Sequence, residues 1–313
     1  MPMQSIILTG GNSGLGFEAA KNIATESKDF HLVLACRNPA TAQEAVDSLR
    51  TLSGHAHIEA LPLDLASQES VRAFVRLFLS RNLPPLYALV CNAGLQVTDG
   101  TQRTREGYEM TFGVNHLGHF LLTHLLLPHI SPAGRVIVVS SGTHYNPPIW
   151  QSSLFGIPAP QYIGAEGLAD PANFAGMSEK KKGYLRYSTS KLCNLMFAYE
   201  LNRRLREENS QITVNVFDPG LMPGTGLART ASAFEQWAWR TLMPAMTVFD
   251  GVFTVAESGR NLAKLAVSTE KEGVTGKYYE GAKEKPSSAE SHDRTKWADL
   301  WAVSERLTAS QVR

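Results

Sequence analysis

The stretch Gln4-Ser5-Ile6-Ile7-Leu8-Thr9-Gly10-Gly11-Asn12-Ser13-Gly14-Leu15-Gly16 decides the fold. Gln4 to Thr9 is a short apolar run rich in isoleucine and reads as a strand. A glycine turn follows at once, then an amphipathic stretch over residues 17–27. Strand, glycine turn and helix in that order bring backbone N–H groups and a helix N-terminus to a pyrophosphate. Gly10, Gly14 and Gly16 let the backbone turn tightly, approach the phosphates and pack the helix onto the strand, with Asn12, Ser13 and Leu15 completing the cradle. The spacing is G-x-x-x-G-x-G rather than the commoner G-x-G-x-x-G. Taken alone, such a turn is more often just a loop.

Working outward, the same alternation repeats. Residues 31–35 (HLVLA) read as a strand, 39–52 as a helix, 57–63 as a strand, 67–80 as a helix and 86–91 as a strand. Strands follow at 135–139 (RVIVV), 212–217 (ITVNVF) and 277–279. The pattern predicts an α/β fold: a doubly wound, Rossmann-type parallel sheet of about seven strands in one domain spanning residues 1–313. Residues 251–267 read as the last sheet-covering helix, 281–292 as a polar, loose connector, and 293–307 as an amphipathic helix. Trp297, Leu300, Trp301 and Ser304 lie near one face of that helix, which therefore docks its tryptophans onto the body.

Composition narrows the partners. With 43% hydrophobic residues and a net charge of +1, the chain can build a full core and has no broad field drawing it to nucleic acid or to an anionic membrane. Cys36, Cys91 and Cys193 are odd in number, far apart and set in apolar runs, as expected of reduced thiols in the cytoplasm. The N-terminal apolar run is too short for a signal peptide, and no segment reaches the ~18 apolar residues of a membrane span. A soluble intracellular protein is expected.

A ligand of this fold sits at the carboxyl ends of the strands. After the second strand the chain carries Cys36-Arg37-Asn38, with no carboxylate to bind ribose hydroxyls. A guanidinium suits a 2′-phosphate, so the expected cofactor is NADP(H), with Ser13 a second phosphate ligand. Asp64, followed by Leu65 after the third strand, is placed either to accept from the adenine amino group or to cap the next helix.

Tyr187 and Lys191 are four apart in a helical stretch and so share one face. A cation about 4–5 Å from a phenol, at an effective dielectric of ~20, favours the phenolate by roughly 3–4 kcal/mol. That would bring the tyrosine towards working pH as an acid or base.

Thr9-Gly10-x-x-x-Gly14-x-Gly16, Asn92-Ala93-Gly94, Asn115, Ser140-Ser141, Tyr187-x-x-x-Lys191 and Pro219-Gly220 occur in that order. Through them the chain resembles the short-chain dehydrogenase/reductase family over roughly residues 4–280; residues 34–38 (LACRN) and 115–120 (NHLGHF) resemble its retinol dehydrogenase and protochlorophyllide reductase branches, and residues 89–93 (LVCNA), 224–229 (GTGLAR) and 301–307 (WAVSERL) the protochlorophyllide reductases in particular. The resemblance implies that Tyr187 donates a proton to a substrate carbonyl and that Lys191 lowers its pKa and bonds the nicotinamide ribose. It further implies that Ser141, rather than Ser140, holds the substrate oxygen, and that Asn115 holds a water beside Lys191. Asn92, Ala93, Gly94, Pro219, Gly220 and Thr225 would line the cofactor, with Leu221 and Met222 covering its ring. Protochlorophyllide reductases carry a cysteine directly after the Pro-Gly pair, where this chain has Leu221.

Ser141 and Tyr187 stand 46 positions apart, so an insertion over residues 143–183 precedes the catalytic helix, with Tyr145, Trp150, Phe155, Tyr162 and Phe174 among its prolines and glycines. It reads as a wall of a large apolar substrate pocket, or as a cover that blocks oligomer contacts, and both can hold at once; the resemblance to reductases with an insertion at this place implies a monomer over a homodimer. Residues 234–249, within a lid over 221–250, are rich in Trp, Met and Phe and read as a lid or as a peripheral membrane contact, the lid being favoured. His116, His119, His124 and His129 lack the cysteine or carboxylate that would close a metal site, so no metal is expected and polar histidines near a dimer or solvent face are. The leading reading is an NADPH-dependent reductase, or the reverse dehydrogenase, for a bulky apolar ketone or aldehyde. Reduction of a carbon–carbon double bond and a non-catalytic NADP sensor are the alternatives.

Overall fold

The computed structural model describes residues 2–222 and 251–309. The chain runs β1 (Gln4–Thr9), α1 (Gly14–Glu26), β2 (Phe30–Cys36), α2 (Pro39–Ser53), β3 (Ile58–Pro62), α3 (Gln68–Ser80) and β4 (Leu86–Cys91). After β4 come a short α4 (Met110–Phe112), a π-helical turn (Gly113–Leu117), α5 (Gly118–Leu126) and β5 (Ile130–Val139). The remainder is α6 (Trp150–Leu154), α7 (Ala165–Ala169), α8 (Glu179–Glu207), β6 (Thr213–Asp218), α9 (Val255–Val267), β7 (Tyr278–Glu280), β8 (Lys283–Lys285) and α10 (Arg294–Thr308).

Among the described residues one sheet holds eight strands in the order β3-β2-β1-β4-β5-β6-β7-β8. Every pairing is parallel except β7 with β8, so the sheet exceeds the expected count by one short antiparallel edge strand. The chain reverses its direction of winding between β1 and β4, and the glycine turn and Asn92-Ala93-Gly94 meet at that switch point.

Alternation along each strand feeds two cores. Ile7, Val33, Leu89 and Val136 face α3, α5, α8 and α10, while Ile6, Leu8, Leu34 and Val90 face α1, α2 and α9. Each fully buried leucine or isoleucine contributes about 1.5–3 kcal/mol. Asn38 starts α2 by accepting from the N–H groups of Ala40 (3.0 Å) and Thr41 (3.3 Å), and Pro39 fits the first helical position. The last sheet-covering helix begins at Val255, later than residue 251, because Thr254 caps it through the Glu257 N–H (3.1 Å).

Residues 281–292 are no loose connector. They form β8 and a 3₁₀ turn, Ser288 and Ser291 are buried, and the Ser288 N–H donates to His144 Nε2 (3.2 Å). Polar composition misled there because Ser291 Oγ turns inward to the Ser288 carbonyl (2.6 Å) and Ser287 Oγ to the Tyr199 hydroxyl (2.7 Å). Helix α10 docks as expected: Trp297, Leu300, Trp301 and Ser304 are all buried, and Trp301 meets Phe120 edge-on at 5.1 Å.

Candidate active site

Gly10 and Gly14 adopt left-handed conformations, φ +67° and +54°. A side chain at Gly16 would meet the Gly10 carbonyl at 2.4 Å, so only glycine lets α1 come this close to β1. At Gly14 a Cβ would enter open space. Ser13 at the helix N-cap is exposed and makes no side-chain capping bond, and α1 has no acid in its first turn. Directed N–H groups, no carboxylate and room for a ligand suit a pyrophosphate. Leu15 is half-buried in that first turn; Asn12 donates to the Thr41 hydroxyl (3.0 Å), joining the turn to α2, and Arg37 is exposed just beyond β2.

Asp64 is not the N-cap of α3; Ser67 is, accepting from the Ser70 N–H at 3.2 Å. Asp64 Oδ1 instead accepts from the Ala66 N–H (3.0 Å), shaping the loop that holds Leu65. The Thr9 hydroxyl accepts from the N–H groups of Asn92 and Ala93, both at 2.9 Å, which fixes the end of β4 against the end of β1.

Tyr187 and Lys191 lie on α8, both buried, with the Lys191 ammonium 5.5 Å from the phenol ring centre. Lys191 Nζ donates to the Val139 carbonyl (3.3 Å). The expected lowering of the phenol by the ammonium is not what the protein's own groups produce. Burial pushes Tyr187 up to about 12, Asp218 adds to the rise, and the adjacent Ser141 hydroxyl opposes it. Burial brings Lys191 down to about 8, against the pull of Asp218. The ammonium is directed at a carbonyl rather than at the phenol oxygen, and desolvation outweighs attraction at this depth.

The two serines divide. Ser140 Oγ donates to the Lys191 carbonyl (2.8 Å) and is buried, so its hydroxyl ties β5 to α8. Ser141, half-buried, stands beside the Tyr187 phenol and heads the turn Gly142–His144.

Asn115 sits in the π turn, not in regular α-helix, and its side chain is committed: Oδ1 accepts from the Leu95 N–H (2.8 Å), and Nδ2 donates to the Leu95 carbonyl (3.0 Å) and to Ser190 Oγ (3.0 Å). Ser190 passes its own proton to the Tyr187 carbonyl (2.7 Å). Asn115 thus ties the loop after β4 to the helix of the tyrosine. Ala93 and Gly94 stand in that loop, and a Cβ on Gly94 would lie 3.5 Å from Lys191 Nζ.

His116 and His119 are buried, not at a surface. His119 Nδ1 faces the Asn115 carbonyl (3.2 Å), which can only accept, so Nδ1 carries the proton and Nε2 accepts from the Thr9 hydroxyl (3.0 Å). Burial holds His119 down to about 4 and His116 to about 3. His116 Nε2 meets Ser304 Oγ (2.8 Å) on α10; His124 and His129 are exposed. Among the described residues no three metal-ligating side chains converge. The roles of Ser190, His119 and the buried Asp218 escaped sequence reasoning; position inside the Tyr-x-x-x-Lys and Asn-x-x-x-His spacings was the available signal.

Pro219 and Gly220 follow β6, Gly220 at φ +67°, and Leu221 pairs through its backbone with Gly251 and Phe253. Met222 is buried. Thr225 and nearly all of the stretch 221–250 lie outside the described residues. In the insertion, Tyr145, Tyr162 and Phe174 pack on the core, Phe155 is half-buried and Trp150 is exposed. Arg186, next to Tyr187, grips this segment through Asn173 Oδ1 (2.8 Å) and the Pro171 carbonyl (2.8 Å). No helix among the described residues is long and apolar enough to cross a membrane.

Residues 4–153 match the family described as short chain dehydrogenase. The chain is 37% identical to the WW domain-containing oxidoreductase of Gallus gallus, covering 98% of this chain and 68% of that protein. It is 35% identical to the protochlorophyllide reductase of Avena sativa, covering 96% of this chain and 98% of that one. Among solved structures, an uncharacterized protein from Mycobacterium Paratuberculosis aligns with TM-score 0.70 and 27% identity over 98% of this chain and 95% of its own. L-sorbose reductase from Gluconobacter frateurii, solved with NADPH and L-sorbose, shares the fold at TM-score 0.64 and 20% identity, over 89% of this chain and 95% of its own.

Proposed function

The chain belongs to the short-chain dehydrogenase/reductase family, an oxidoreductase family served by a nicotinamide cofactor, and from that premise we propose that it is an NADPH-dependent reductase of a bulky apolar ketone or aldehyde, or the reverse dehydrogenase. The observation that carries this reading is the gathering of Ser141, Tyr187 and Lys191 at the carboxyl end of β5, beside the glycine cradle and the Pro219-Gly220 turn.

When bound, the nicotinamide supplies or accepts a hydride. Ser141 and Tyr187 donate to the substrate oxygen, which localises its developing negative charge, and Tyr187 then gives up its proton. A phenol held protonated by burial suits the donor role. Lys191 holds positive charge beside the phenol, so the phenolate formed on proton transfer has a counter-charge. Arg37 and Ser13, both exposed at the mouth of the cradle, hold the 2′-phosphate. The insertion over 143–183 forms a wall of the substrate pocket, and the Arg186 grip beside Tyr187 supports this.

The likeness to protochlorophyllide reductases along almost the whole chain favours a second reading, reduction of a carbon–carbon double bond, against which Leu221 stands. Consumption of NADPH and of NADH over a panel of ketones, quinones, retinoids and steroids, with protochlorophyllide under illumination alongside, tests both. Wild type should prefer NADPH, and Arg37→Asp should lose about tenfold or more of that preference. Retained preference would place the phosphate elsewhere, and turnover with the pigment alone would favour the second reading.

A further inference from the structure

Asp218, the last residue of β6, is 1% exposed, a carboxylate inside the molecule that no step above uses. Its Oδ1 accepts from the Gly220 N–H (2.8 Å) and its Oδ2 from the Tyr278 hydroxyl (2.6 Å). The β5–β6 register pairs Val139 with Phe217, so Asp218 follows directly alongside Ser140. A Cβ on Gly142, the residue after Ser141, would lie 3.3 Å from Asp218 Oδ2. The carboxylate is therefore wedged between the Pro219-Gly220 turn and the backbone of the candidate catalytic serine. Tyr278 continues the cluster to His144 (5.1 Å between rings), and His144 Nδ1 donates to the Ser141 carbonyl at 2.7 Å.

We propose that Asp218 is a positioning residue of this active site: its carboxylate pins the Pro219-Gly220 turn through the Gly220 N–H and sets a buried negative charge against the Ser141-Gly142 backbone, where it acts on Tyr187 and Lys191. The proposal rests on the reading of Tyr187 as the proton donor. Among the described residues, the titratable groups facing the carboxylate are Tyr187 and Lys191 from α8, Tyr278 and Glu280 from β7, and Tyr145 from the loop after β5. Of these Lys191 alone is cationic. Glu280 is itself paired with Lys285. Burial raises Asp218 to about 6, opposed by Tyr278 and by the Gly220 N–H, so the charge is present at neutral pH. Through space that charge raises both Tyr187 and Lys191.

Asp218→Asn removes the charge and keeps an acceptor for Gly220. The alkaline limb of the kcat/KM profile for carbonyl reduction should move down by about one pH unit. The tyrosinate absorbance of the resting protein, taken as the difference between each form and its Tyr187→Phe partner, should move down with it. Tyr278→Phe, which removes a donor and leaves the charge, should hold the limb at or above its wild-type position. It decides the matter alone if Asp218→Asn does not fold. Superimposable wild-type and Asp218→Asn titrations, or a downward shift in Tyr278→Phe, would overturn the proposal. If Tyr187→Phe turns over like wild type, the reading of the site fails instead; if it is inactive while Asp218→Asn overlays wild type, only the role of Asp218 fails.

Discussion

Ser140 and Ser141 adjoin in sequence and differ in employment. Ser140 spends its proton on the Lys191 carbonyl, whereas Ser141 presents its hydroxyl beside the phenol of Tyr187. Ser140→Ala should cost about 1 kcal/mol of stability in urea unfolding and leave turnover nearly intact. Ser141→Ala should lower kcat by about 10²–10³ with stability nearly unchanged. The reverse pattern would reassign the hydroxyls. The pair shows where sequence stops being enough: both serines were visible at the end of a strand, but what each one bonds depends on α8, some fifty residues on, and only the fold brings the Lys191 carbonyl to Ser140.

At the scale of elements, the π turn Gly113–Leu117 between α4 and α5 frees Asn115 to clasp Leu95 and Ser190, and His119 braces the turn to β1 through Thr9. A Cβ on Gly118 would meet the Leu65 carbonyl at 2.6 Å, so the bent segment lies tight on the loop after β3. His119→Phe should destabilise by about 2–3 kcal/mol, because the Asn115 carbonyl and the Thr9 hydroxyl each lose a partner. Urea unfolding measures it, and a loss within experimental error would contradict the brace. The strands and amphipathic helices were legible because apolar residues repeat at periods of 2 and 3.6. The π turn was not, since a one-residue change of winding leaves no mark on that period. Nor were the buried histidines, whose polarity in sequence suggests a surface until Ser304 and Thr9 are found opposite them.

Across the whole molecule, the buried neutral histidines tie stability to pH. His144 is held down to about 4 by burial, with both ring nitrogens engaged. Unfolded, it would take up its proton near ~6.5, so its contribution is full above that pH and is lost as pH falls towards about 4. Asp218 and Glu109, both raised by burial, act with the opposite sign. His144→Gln removes one proton uptake, so its unfolding free energy should depend on pH less steeply than that of wild type, by about 1.4 kcal/mol per pH unit between ~6.5 and ~4.5. Equal slopes would mean that His144 titrates normally. The same interior that keeps these histidines neutral holds the phenol of Tyr187 protonated, and the proposed activity depends on that proton. The most direct measurement compares NADPH-dependent carbonyl reduction with equilibrium NADPH binding in wild type and Tyr187→Phe. Tyr187→Phe should lose turnover by about a hundredfold or more with NADPH binding retained. Undiminished turnover in Tyr187→Phe would contradict this.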